Sequence, residues 1–100
     1  MLGFIAPAQA DETGVASIHA WYKVGRKTCL VDHFHDGSGN GPTRAKAQAA
    51  AIAAWAGFTA WEYGTSWGRY GLSEKKSMSC SGSGIGGWSC NTSAIPCRGY

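Results

Sequence analysis

Hydrophobic and polar positions change rhythm several times along this 100-residue chain. Residues 15–24 (VASIHAWYKV) and 28–34 (TCLVDHF) crowd β-branched and aromatic side chains into short runs. Gly25, Arg26 and Lys27 separate them, which predicts a strand, a turn and a returning strand. Period-two alternation on the returning strand puts Cys29, Val31, His33 and His35 on one face, and Leu30, Asp32 and Phe34 on the other. Residues 35–42 (HDGSGNGP) break the rhythm and read as a glycine-punctuated loop.

From residue 43 the period becomes helical. Ala45, Ala49, Ile52, Trp55, Ala56, Thr59 and Tyr63 fall in one apolar stripe at i, i+3, i+4 spacing. Pro42 suits the first helical position behind Asn40 or Gly41, or Thr43 caps the helix instead. Gly57 and Gly64 each weaken the helix by roughly 1 kcal/mol relative to alanine. Gly64 is one stopping point, but Trp67 and Tyr70 keep the spacing and favour a helix running on to Tyr70. Residues 74–81 (EKKSMSCS) and 87–93 (GWSCNTS) read as two further strands around a glycine-rich loop, and residues 94–100 as a tail anchored at Cys97. The order ββαββ predicts an α+β fold of two layers, one antiparallel sheet with a long helix across one face.

Composition adds an address. One hundred residues with a formal charge of +3 make a single domain, here residues 11–100. Only 15% of residues are charged, while five Trp, four Tyr and three Phe supply large buried areas. Residues 1–10 (MLGFIAPAQA) carry a short apolar run and the small-x-small triplet Ala8-Gln9-Ala10, and read as the remnant of a signal peptide. That implies a periplasmic or secreted protein. No other apolar run approaches the ~20 residues that span a bilayer. The even set Cys29, Cys80, Cys90 and Cys97 then implies two disulfides, with three connectivities open. If the second hairpin is symmetric about Ile85, Cys80 faces Cys90, leaving Cys29 for Cys97. A four-cysteine zinc site lacks the usual C-x-x-C spacing.

The densest chemistry is Asp32-His33-Phe34-His35-Asp36. His33 and His35 share a strand face and can ligate one divalent ion such as zinc, copper or nickel, with Asp32 beside them. A three-residue turn at 25–27 brings His19 opposite His33, whereas a two-residue turn brings it opposite Asp32. Gly39 and Gly41, with Arg44 behind them, offer an anion cradle at a helix start, although Pro42 removes one donor. Lys23, Arg26, Lys27, Lys75 and Lys76 lie near Trp21, Tyr22 and Trp88, but +3 is a small charge for a nucleic-acid partner. No Ser/His/Asp or Cys/His nucleophile and no paired carboxylates are readable.

The segment VDHFHDGSG resembles the D-H-x-H stretch of the His-Me finger (ββα-metal) endonucleases. That resemblance implies His33 as general base and Asp32 and His35 as metal-site residues; the family's C-x-x-C knuckles and its helical Asn or His ligand have no counterpart here. The wider pattern A-x-x-x-A-I-x-x-W, F-T-x-W-E-Y-G-x-x-W, C, W-x-C and P-C-R, between Ala45 and Arg98, resembles small exported bacterial proteins of uncharacterised activity. It implies a periplasmic or secreted ββαββ domain. The reading is therefore a small exported, disulfide-bridged binding or structural domain without a catalytic role, its partner a protein or small molecule. The alternative is a metal-binding protein, or a divalent-metal-dependent nuclease of His-Me type, using residues 32–35.

Overall fold

The computed structural model describes residues 14–83 and 85–100, and residues 1–10, with the expected signal-peptide remnant, lie outside the described residues. The elements run α1 (Gly14–Ser17), β1 (Trp21–Val24), β2 (Lys27–Leu30), β3 (His35–Gly41), α2 (Arg44–Tyr63), β4 (Glu74–Ser83), β5 (Gly87–Ile95) and β6 (Cys97–Arg98). The fold is α+β, with one long helix and antiparallel strands. Those strands divide into two sheets, β1-β2-β6 and β3-β5-β4, in place of the single sheet expected.

The first sheet starts later than its hydrophobic run. Residues 14–17 are helical, and Ser17 Oγ donates to Gly14 O while the Trp21 indole N–H donates to Ala16 O. A two-residue turn with Gly25 at φ 62 sets Val24 against Lys27. The returning strand stops just past Leu30: Val31 N still donates to Ala20 O, and Asp32 then takes a left-handed backbone (φ 48) that turns the chain out of this sheet. Cys29 lies opposite Cys97 on β6 and is bonded to it. Behind this sheet Leu30, Tyr63, Trp67 and Ile95 make one buried core.

The second sheet contains the main correction. Residues 35–41, expected as a loop, are the strand β3, paired along its length with β5 from His35↔Ala94 to Gly41↔Trp88. Their alternation is genuine period two: Gly37, Gly39 and Gly41 face α2, and Asp36, Ser38 and Asn40 face out. Two residues of strand advance about 6.6 Å and four residues of helix about 6 Å, so alternate strand positions keep step with every fourth helical one. A Cβ at Gly37 would stand 2.3 Å from Ala51 O, and one at Gly39 2.3 Å from Ala51 N. The glycines thus bring strand and helix backbones into contact, against alanines on the other side. This is why the buried helical positions are Ala47, Ala51, Trp55, Thr59 and Tyr63; Ala45 and Ala49 of the expected stripe are exposed.

Thr43 caps the helix, its hydroxyl accepting from Lys46 N at 3.1 Å. The helix ends at Gly64 (φ 112), short of Tyr70. Single 3-10 turns at Thr65–Trp67 and Tyr70–Leu72 follow, and they keep Trp67 buried and bring the Tyr70 hydroxyl to Thr92 Oγ1 at 2.7 Å. The β4–β5 hairpin is symmetric about Ile85, with Cys80 opposite Cys90 and bonded to it. No described helix is long and apolar enough to cross a membrane.

Candidate metal centre

Carried one step beyond Gly37, the strand–helix match sets His35 beside Thr59. Here the gap widens enough for an imidazole, and His35 is buried to 4% exposure between the Phe58 and Tyr63 rings, with centroids 4.8 Å away on each side. Its Nδ1 lies 2.9 Å from Thr59 Oγ1 and its Nε2 2.8 Å from Glu62 Oε1. A neutral ring satisfies both, with Nε2–H donating to the carboxylate and Nδ1 accepting from the threonine hydroxyl. Because a hydroxyl both donates and accepts, the ring can instead donate from Nδ1 to Thr59 and expose a lone pair at Nε2.

His33 sits in the turn between β2 and β3, its ring centroid 5.3 Å from that of His35. Its Nε2 is 2.5 Å from the Tyr63 hydroxyl. One ligand atom each from His33, His35 and Glu62 falls within 4.8 Å of the others. On a tetrahedral zinc ion such atoms stand roughly 3.3 Å apart, so the trio needs a closure of at most about 1.5 Å to share one.

Of the residues expected from sequence, His33 and His35 come together and Asp32 stays exposed on the turn. His19 stands beside the trio. The hairpin turn has two residues, the register that sets His19 opposite Asp32, yet the His19 ring lies 4.5 Å from His33 because the chain before β1 curls from α1 and is not strand. Gly39 and Gly41 belong to the strand–helix contact, and the Arg44 guanidinium lies over Trp88 at 5.4 Å. The basic residues do not form one face: Lys27 pairs with Glu74, Lys23 reaches Thr28 on the hairpin, and Lys76 lies over Tyr70.

Glu62, Thr59 and Tyr63 were the residues missed. A signal for Glu62 exists in the sequence. It flanks the buried positions 59 and 63, and its helical neighbours Phe58, Thr59, Thr65 and Ser66 supply no cation. It also sits in the last turn of a 20-residue helix whose last turn has no basic residue. A carboxylate there adds to the negative end of the helix dipole, so a cation from elsewhere is favoured at that point.

Burial is the largest influence on His35, pushing its pKa below the ordinary value against the pull of Glu62 and Asp36, with His33 adding to the lowering. Burial also lowers His33, helped by His19 and opposed by Glu62. Burial and Glu62 hold the Tyr63 phenol well above its usual range, so it stays protonated. Both histidines are therefore more readily protonated in the unfolded chain. Their contribution to stability is complete above the ordinary histidine value of about 6.5 and falls as pH drops through the lower folded values. The urea midpoint of metal-free protein is expected to be flat above about pH 7 and to fall as pH drops below about 6.5, a slope that His35→Gln reduces.

Neither a protein-family model, nor a curated protein, nor a solved structure matches this chain.

Proposed function

We propose that this protein is a divalent-metal-binding domain, with His33, His35 and Glu62 as ligands and zinc as the metal they suit best. The observation that carries the proposal is the convergence of those three ligand atoms within 4.8 Å at the dipole-negative end of α2. Two imidazoles and a carboxylate are a common zinc donor set, and mixed nitrogen and oxygen donors disfavour magnesium and calcium. The His35–Thr59 contact supplies the outer hydrogen bond that fixes ring orientation in most histidine metal sites. The ligands come from β3, the turn before it and the end of α2, so an ion would tie that turn and strand to the helix. Two disulfides suit an oxidising compartment, and export to the periplasm or medium is part of the proposal.

Titration of tag-free protein with Zn²⁺ by calorimetry tests it. The expected result is one ion per chain, with affinity falling at least about 100-fold in His35→Ala and Glu62→Gln and 10- to 100-fold in Thr59→Val, which keeps the shape of the side chain and loses its hydrogen bond. Binding is expected to release protons and weaken below pH 6, since the ligands must be deprotonated. Equal affinity in wild type, His35→Ala and Glu62→Gln would remove the proposal.

A further inference from the structure

The outward face of the β3-β5-β4 sheet has no share in the metal centre, and its composition runs against the structure it occupies. Serine, asparagine and aspartate are poor strand formers, and exposed sheet positions ordinarily carry threonine, aromatic or long charged side chains. Here the outward positions within residues 36–40, 77–83 and 89–93 are seven serines, two asparagines and one aspartate. They stand in register, as in the rank Ser38–Asn91–Ser79 and the neighbouring rank Asn40–Ser89–Ser81. Glycine-on-helix packing and the Cys80–Cys90 bond hold the sheet from behind, leaving the outer face free of the usual packing demand. Places where a chain departs from local preference without a folding reason are where function is sought.

Two of these contacts show what the face presents. Ser38 Oγ donates to Asn91 Oδ1 at 2.5 Å, and Ser89 Oγ donates to Asn40 Oδ1 at 2.6 Å. Each pair thereby orients its amide, leaving two N–H donors on the asparagine and acceptor lone pairs on the serine. Such a mixed donor and acceptor set matches a hydroxyl group, which both donates and accepts. A polyanion would call for donors and cations, and a polycation for acceptors and carboxylates; among those ten outward positions only Asp36 is charged. It also lacks the aliphatic and aromatic anchors of a protein interface. Three strands about 4.8 Å apart, with ranks about 6.7 Å apart, make a strip roughly 10 Å wide and 20 Å long. Two shallow depressions lie along it, one of about 740 Å³ bordered by Asn40, Ser81, Ser83 and Ser89, the other of about 390 Å³ over Asp36, Ser79 and Asn91.

We infer that this face binds a neutral, extended glycan chain of the ribbon-like β-1,4-linked kind. The strip takes several sugar residues side by side with the strands, their hydroxyls meeting the Ser–Asn pairs, and an uncharged partner suits a surface on which Asp36 is the one charge among those ten positions.

The test is depletion of the protein from solution by microcrystalline cellulose, β-chitin and insoluble β-1,4-mannan, with alginate beads as the anionic comparison. The expected result is retention on at least one of the neutral polymers and none on alginate. Retention should fall at least tenfold in the double variant Asn40→Ala, Asn91→Ala and in Ser79→Arg, which sets a long charged chain beside Asn91 from the β4 edge of the strip; both keep the wild-type circular dichroism. Retention unchanged by Glu62→Gln separates this site from the metal centre. No retention on any neutral polymer, retention that both face variants leave unchanged, or retention on alginate alone would each overturn the inference. Inhibition of ice recrystallisation without retention on any glycan would also overturn it, assigning the array to ordered water.

Discussion

Gly37→Ala is expected to unfold this protein or leave it destabilised by about 3 kcal/mol or more, an unusual penalty for one added methyl. The new Cβ would lie 2.3 Å from Ala51 O and 2.5 Å from Trp55 N, and both are helix backbone atoms that cannot swing aside. Relief requires β3 and α2 to separate, and that movement would draw His35 away from Thr59 and Glu62. Gly57→Ala is the matched control. Its Cβ would meet nothing within 4 Å and it sits in an exposed helix interior, so it should add up to about 1 kcal/mol. Urea unfolding of the two variants beside wild type checks both signs. A Gly37→Ala protein of wild-type stability would mean that strand and helix are not in backbone contact.

Removing the Cys29–Cys97 bond should cost more than removing Cys80–Cys90. The first closes a sequence separation of 68 residues and the second one of 10. Loop-closure entropy in the unfolded chain then gives about 4 kcal/mol for the first and about 3 for the second. The positions sharpen the difference. Cys29 and Cys97 are buried in the first core beside Leu30 and Trp67, and their bond fixes the two-residue strand β6 to β2. Cys80–Cys90 spans an already paired hairpin. The Cys29→Ala, Cys97→Ala protein is expected to lose its cooperative thermal transition below about 40 °C, while the Cys80→Ala, Cys90→Ala protein keeps one at reduced temperature. Thermal scans followed by circular dichroism, under non-reducing conditions, make the comparison.

Much of the architecture was legible. The helix declared itself through Trp55, Thr59 and Tyr63 at every fourth position, and the symmetry of the second hairpin about Ile85 placed Cys80 against Cys90. Strand β3 was hidden because glycine is read first as a turn residue. The clue lay in its strict alternation with Asp36, Ser38 and Asn40, and in the alanine-rich helix that could accept a bare backbone. The helix end was misplaced because Trp67 and Tyr70 preserve helical spacing through 3-10 turns after Gly64. At the candidate site, proximity in sequence revealed His33 and His35. Glu62 lies 27 residues beyond His35, and the strand–helix register that unites them needs β3 to be recognised first. The closeness of His19 to His33 depended on the chain curling before β1, where β-branched and aromatic residues had suggested a strand.

Zinc K-edge X-ray absorption on the one-to-one complex reads the shared ligation of one ion by His33, His35 and Glu62. The predicted spectrum contains two imidazole nitrogens at about 2.0–2.1 Å with their outer-shell ring scattering, together with oxygen at about 2.0–2.2 Å, and one imidazole is lost in His35→Ala. Sulfur at about 2.3 Å, or an all-oxygen shell that His35→Ala leaves unchanged, would contradict it.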